Sequence, residues 1–179
     1  MYKRQLPGLL ISKDWNVQYW NSGVEKLFGI TKDEMTLLNQ EGWPPNILKL
    51  LVDQRHSVWK AFHDAGDENW RRVLEANIYR FKSLNKLYRY DSSWYRSLVQ
   101  QVMSLDSSGA FRECWEKIHI DRPIENQNPL YQMNVLVGEH VLTIRPLLIS
   151  ASNSGSLDIV AYMPVNDDDR WAFQELGLR

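Results

Sequence analysis

The residues able to do chemistry are few and scattered. Four histidines occur, His56, His63, His119 and His140. A metal site needs several such ligands at one point, and acid or base catalysis needs a partner within hydrogen-bond reach. His56 and His63 are seven apart and could share a helix face, but no carboxylate pair stands at a spacing that would complete a site. Cys114 is the one cysteine; with no second thiol for a disulfide or zinc cluster, it reads as a half-buried thiol on a helix. No glycine-rich loop cradles a phosphate, no Cys-His motif attaches a haem, and Cys114 lies far from where a light-driven flavin bond would form. The expectation is no catalytic residue, no metal and no cofactor, which ranks an enzyme on a small apolar substrate last among the readings.

What remains is aromatic and apolar. Eight tryptophans, in a chain that is 12% aromatic, are a surplus that fills cores but also lines pockets for apolar ligands. A net charge of -1 supplies no field for gathering phosphates, so these residues alone should not hold nucleic acid. At 179 residues, 44% hydrophobic and 24% charged, the chain suits one globular domain. No apolar run approaches the ~20 residues that span a bilayer, and the N-terminus lacks a signal-peptide core. A cytoplasmic protein with no membrane partner is the expectation.

The elements that must position these residues follow in order. Leu9 to Ile11 reads as a strand, Ser12 to Asp14 as a polar turn, and Trp15, Val17 and Tyr19 as an alternating second strand. Asn21 caps a short helix with Val24, Leu27 and Phe28 on one face, and Gly29 stops it. Thr31 and Glu34 form a capping box for a second helix, and Asn46 caps Ile47 to Val52. A segment with Trp59 and Phe62 comes next, then the longest helix, from Asn69 to about Tyr90. Its apolar stripe is Trp70, Val73, Leu74, Ile78 and Phe81. Its other face, Arg71, Arg72, Glu75, Arg80, Lys82 and Lys86, reads as solvated. Asp91, Ser92 and Ser93 cap a helix through Trp94, Leu98 and Val102, and Phe111, Trp115 and Ile118 mark another.

Three strands close the chain. Gly138-Glu139 is a two-residue turn joining Tyr131 to Val137 with His140 to Ile149. Pairing Val137 with His140 sets Val135 opposite Leu142, Met133 opposite Ile144 and Tyr131 opposite Pro146 on one face, leaving Gln132, Asn134, Thr143 and Arg145 on the other. A one-residue slip would mix these sets, so the separation supports the register. Asn153-Ser154-Gly155 leads into Leu157 to Pro164, and Trp171, Phe173 and Leu176 mark a helical tail.

Trp20-Asn21 followed by Leu27-Phe28-Gly29, then Asn46-Ile47-Leu48-Lys49-Leu50-Leu51, Trp70 opening a long helix, and Phe111, Trp115 and His119 spaced by four resemble the MmyB-like transcription-regulator ligand-binding domains. The resemblance implies an α+β, PAS-like fold: an antiparallel five-stranded sheet with a helical middle packed on one face. It divides the chain into an N-terminal segment (1-8), a ligand-binding domain (9-165) and a C-terminal helical tail (166-179). Such domains usually follow a helix-turn-helix, for which there is no room before Leu9. Contact with DNA would therefore run only through a helix-turn-helix domain outside this chain.

The resemblance further implies a sensor that binds a small hydrophobic or amphipathic, fatty-acid-like molecule between sheet and helices. The expected lining is Tyr131, Met133, Val135, Leu142 and Ile144 on the sheet, facing Trp59, Phe62, Ile78, Phe81, Leu98 and Trp115. Arg145 or His119 would meet a ligand carboxylate, although the register turns Arg145 to the opposite face. His119, at the junction of helix and sheet, would hold the chain turn or stand at the pocket mouth. The alternative is a packed-core interaction module that forms a homodimer through its N-terminal segment or outer sheet face.

Overall fold

The computed structural model describes residues 6–42, 44–88, 92–120, 132–150 and 157–178. Strands β1 (Gly8–Ser12), β2 (Val17–Trp20), β3 (Met133–Val137), β4 (His140–Ser150) and β5 (Leu157–Pro164) form one antiparallel sheet in the order β2-β1-β5-β4-β3. The α+β, PAS-like fold expected from the sequence is the one observed. The closing hairpin has the expected register, Val137 opposite His140, Val135 opposite Leu142 and Met133 opposite Ile144, with Gly138 at φ 61° in the turn. Tyr131 and the 153–155 loop lie outside the described residues.

The alternation expected through Trp15, Val17 and Tyr19 fails because the β1–β2 pairing slips: Leu10 faces Tyr19 but Ile11 faces Val17, leaving Gln18 as an extra residue. This bulge brings Val17 and Trp20 to the buried side and leaves Tyr19 62% exposed. Trp15, in the turn before it, stands at φ 65°, which costs a bulky residue about 1–3 kcal/mol. Its neighbours hold it there: its N–H donates to the Ser12 carbonyl at 2.8 Å and its own carbonyl accepts from Ile47 at 3.0 Å.

Asn21 joins sheet to helix. Its Oδ1 accepts from Gly8 at 3.1 Å and from Val24 at 3.2 Å, and its Nδ2 donates to the Leu6 carbonyl at 2.8 Å. Helix α1 (Ser22–Phe28) follows and stops at Gly29, φ 65°. Helix α2 (Lys32–Gly42) makes only half of the expected capping box: Thr31 Oγ1 accepts from the Glu34 N–H at 3.2 Å. The Glu34 carboxylate turns instead to the start of α4 (Ser57–His63), where it accepts from the Ser57 N–H at 2.9 Å and from the Ser57 hydroxyl. Between them, α3 (Ile47–Val52) is capped by Asn46 Oδ1 on Leu48 N–H at 3.0 Å.

Helix α5 (Asp67–Leu84) begins two residues earlier than expected and ends at Asn85, short of Tyr90. The Asn85 side chain closes it by donating to the Phe81 and Lys13 carbonyls, each at 3.1 Å. At the other end, Asn69 grips β3: its Nδ2 donates to the Asn134 carbonyl and its Oδ1 accepts from the Asn134 N–H, both at 2.8 Å. That pair covers backbone groups which an edge strand would otherwise leave open. Helices α6 (Ser93–Leu105), α7 (Ala110–Lys117) and α8 (Asp167–Glu175) complete the described helices. Phe173 and Leu178, in the C-terminal tail, are buried in the same core as the sheet.

His56 is buried between Glu34, at 3.3 Å, and Asp53, at 3.6 Å. Burial pushes the Glu34 carboxyl up, but hydrogen bonds from His56 and Ser57 outweigh it and hold it below its ordinary value. Asp53 is held low in the same way by Arg55, which approaches to 2.6 Å. A carboxyl lowered in the folded state adds stability above its unfolded value and loses it as pH falls through the folded value. Urea midpoints should therefore be flat from neutral pH to about 5 and fall steeply below about 4.3. Glu34→Gln should lower the neutral-pH midpoint and flatten the acid fall, and an unchanged acid profile would contradict this.

Candidate ligand cavity

Helix α5 has two neighbouring stripes, and they meet different layers. Trp70, Leu74, Ile78 and Phe81 turn to other helices. Trp70 Nε1 donates to the Leu51 carbonyl of α3 at 2.8 Å, and the Phe81 ring lies 5.2 Å from Tyr95 of α6 and 6.2 Å from Trp115 of α7. The adjacent stripe, Val73, Ala76, Asn77, Arg80 and Ser83, faces the sheet across a cavity of about 1080 Å³. Arg72, Tyr79 and Leu84 of α5 also line this space, which the side chains leave unfilled. Drug-sized pockets run to ~1,000 Å³, which makes this one large for a domain of this size.

The opposite wall is the middle of the sheet rather than its closing hairpin: Leu9 and Ile11 of β1, Pro146 and Leu148 of β4, Val160 and Tyr162 of β5. Trp15 and Trp20 close one side. Of the expected lining, Phe62 and Met133 border the cavity. Val135, Leu142 and Ile144 are buried in the core, where α1 and α4 pack over β3. Ile78 and Phe81 are fully buried on the helix-facing stripe. Trp59 stacks on His63 with ring centroids 4.1 Å apart, and Leu98 and Trp115 are half-buried against the helical core. His119 is exposed and stands outside the lining, and Tyr131 lies outside the described residues.

The face of α5 expected to be solvated divides three ways. Arg71 pairs with Asp67 at 3.2 Å and with Glu113 at 3.3 Å. Lys82 Nζ donates to the carbonyls of Trp115 and Ile118 and lies 4.3 Å from the Trp115 ring centroid. Arg72, Glu75 and Arg80 line the cavity. So does Arg145, despite its outward position in the strand alternation. The Nε atoms of Arg80 and Arg145 are both buried without a hydrogen-bond partner among the described residues. Burial draws Arg80 below its ordinary value, and the Asp158 charge works against that. Tyr162 is pushed well above the ordinary phenol range by burial and stays a neutral phenol.

Cys114 is buried on α7 with Sγ 4.0 Å from Glu75 Oε1. Burial, with the Glu75 and Glu113 charges, pushes its thiol up to about 11, so little reactive thiolate forms near neutral pH. No described helix is long and apolar enough to cross a membrane. No protein-family model matches the chain, and no curated protein does either.

An open cavity and a packed hairpin respond oppositely to added volume. Ala76→Met, on the cavity stripe, should leave the melting temperature unchanged or raise it. Val135→Met, in the closed hairpin, should cost about 1–3 kcal/mol by overpacking. Equal losses at both positions, measured by thermal unfolding, would contradict an open cavity.

Proposed function

We propose that this domain is the ligand-sensing part of a transcriptional regulator and binds a small amphipathic molecule, fatty-acid-like, with its apolar tail along the sheet. The observation that carries this reading is the pairing of a largely apolar cavity with two arginines whose buried Nε donors have no partner among the described residues. A buried donor left unmade costs about 1–3 kcal/mol, more when charged, and an acidic head would satisfy the one it meets. Arg145, expected to face away, becomes one of the two anchors, and His119 does not take part. The regulatory setting is supported by the sequence resemblance. Ligand binding would then bias one packing of α5 against the sheet over another.

Native mass spectrometry of purified protein, with thermal shifts across straight-chain fatty acids and their methyl esters, tests the reading. The acids should bind and raise the melting temperature, and the esters should do so weakly. Arg80→Gln should weaken acid binding by roughly tenfold to a hundredfold, the scale of a charged hydrogen bond. No bound acid and no shift across the panel would contradict the reading.

A second reading, self-association, is favoured by the outer sheet face. Tyr19, Leu10, Ile159 and Ile149 lie in one row across four strands, and Tyr19, Ile149 and Ile159 are 62%, 49% and 40% exposed. Such an apolar row suits a homodimer contact. Sedimentation equilibrium should find a dimer that Ile159→Lys converts to monomer; a wild-type monomer at every concentration would rule this out.

A further inference from the structure

Helix α5 runs from one end of β4 to the other. Its Asn69 binds the backbone of Asn134 in β3, which lies opposite Thr143 of β4. Its Asn85 binds the Lys13 carbonyl at the far end, where Ser12 lies opposite Leu157 and the next β5 residue lies opposite Ser150 of β4. Arg80 comes eleven residues after Asn69, ~16 Å along the helix, and so stands near the Leu148 level of β4. Arg145 is the first β4 residue past the described β3 pairing, two residues from Thr143 and roughly 10 Å back along the strand from that level. Between the two levels the walls are apolar, with Pro146 and Leu148 of β4 and Val160 of β5 facing Val73 and Ala76 of α5. The Nε donors of both arginines are buried without a hydrogen-bond partner among the described residues. Of the other charged groups in the lining, Arg72 stands at the Arg145 end, three residues after Asn69, and Glu75 lies 3.6 Å from Lys117 of α7.

We propose that the cavity takes an α,ω-dicarboxylate, an apolar chain with an acidic group at each end, one meeting Arg80 and the other meeting Arg145. This rests on the reading of the cavity as an acid-binding site and adds a second acid at the opposite end of the ligand. A monocarboxylate brings acceptors to one guanidinium and leaves the Nε donor of the other unmade. Two like charges at separate levels of the cavity repel each other, so a single carboxylate does not draw both arginines to one point. A second carboxylate held against an apolar wall without a cation would be strongly unfavourable. Which acid binds tighter, the single-headed or the double-headed one, therefore depends on whether both ends of the cavity carry an anchor. Two anchors on fixed elements also select chain length, because neither can follow a molecule that is too short or too long.

Titration calorimetry of the full chain with dodecanoate, dodecanedioate and monomethyl dodecanedioate, then with a series from octanedioate to hexadecanedioate, tests this. Dodecanedioate should bind wild-type protein about tenfold tighter than dodecanoate or better, the scale of one charged hydrogen bond, and the monomethyl ester should fall back to the dodecanoate level. One chain length in the series should bind best. Arg80→Gln and Arg145→Gln should each weaken dodecanedioate about tenfold or more, and the two losses should multiply in the double variant, as they do for separate sites. Dodecanedioate that binds wild type no tighter than dodecanoate would overturn the two-headed ligand and leave the acid-binding reading standing. Binding of neither acid would overturn both. Losses that do not multiply would show one shared carboxylate and overturn the two separate anchors. The wild-type comparison needs no variant, so it decides the matter even if a substituted chain does not fold.

Discussion

Helix α5 must serve two layers at once, and the rest of the structure depends on how it divides between them. One stripe carries Trp70, Leu74, Ile78 and Phe81 and is spent on the helices around it, where aromatic rings interlock. The stripe left for the sheet, Val73, Ala76, Asn77, Arg80 and Ser83, leaves a space between helix and sheet unfilled. Protein interiors normally reach crystal-like density, so a gap of this size between two layers is a property of the sequence, not a loose fit. It also sets the position of Arg80, whose charged head is carried into a half-buried place by a helix anchored on its far side.

The helix is held at both ends by asparagines. Asn69 pins its first turn to the backbone of β3, and Asn85 ties its last turn to the β1–β2 connection through the Lys13 carbonyl. Asn46 and Asn21 do comparable work nearby, each capping a helix while holding a second segment. Buried amides of this kind must be satisfied, and each satisfied one fixes a geometry. Asn69 and Asn85 thereby fix both ends of α5 against the sheet side of the fold.

Much of this fold was legible in the sequence because local chemistry and periodicity agreed. Asn21, Gly29, Asn46 and the Gly138 turn act where their residue types say they should, and the hairpin register follows from the alternation of Met133 and Val135 against Ile144 and Leu142. The cavity was legible only in part. Phe62 and Met133 border it, but the apolar stripe of α5 does not, because periodicity identifies a buried face without saying which neighbour buries it. Arg80 read as solvated for the same reason: its signal was a charge beside Ala76, Asn77 and Ser83 on a helix covered on two sides. Trp15 at φ 65° and the bulge at Gln18 depend on contacts with Ile47 and β1 that no local pattern encodes.

We propose that an acidic amphipathic molecule lies between α5 and the sheet, its head toward Arg80 or Arg145. The most direct test is a crystal structure with a long-chain fatty acid carrying bromine at its tail. The expected result is a carboxylate within hydrogen-bond distance of the Arg80 or Arg145 guanidinium group and a single anomalous bromine peak inside the cavity. A bromine peak only on the protein surface, or a cavity filled by rearranged side chains with both arginines turned to solvent, would contradict it.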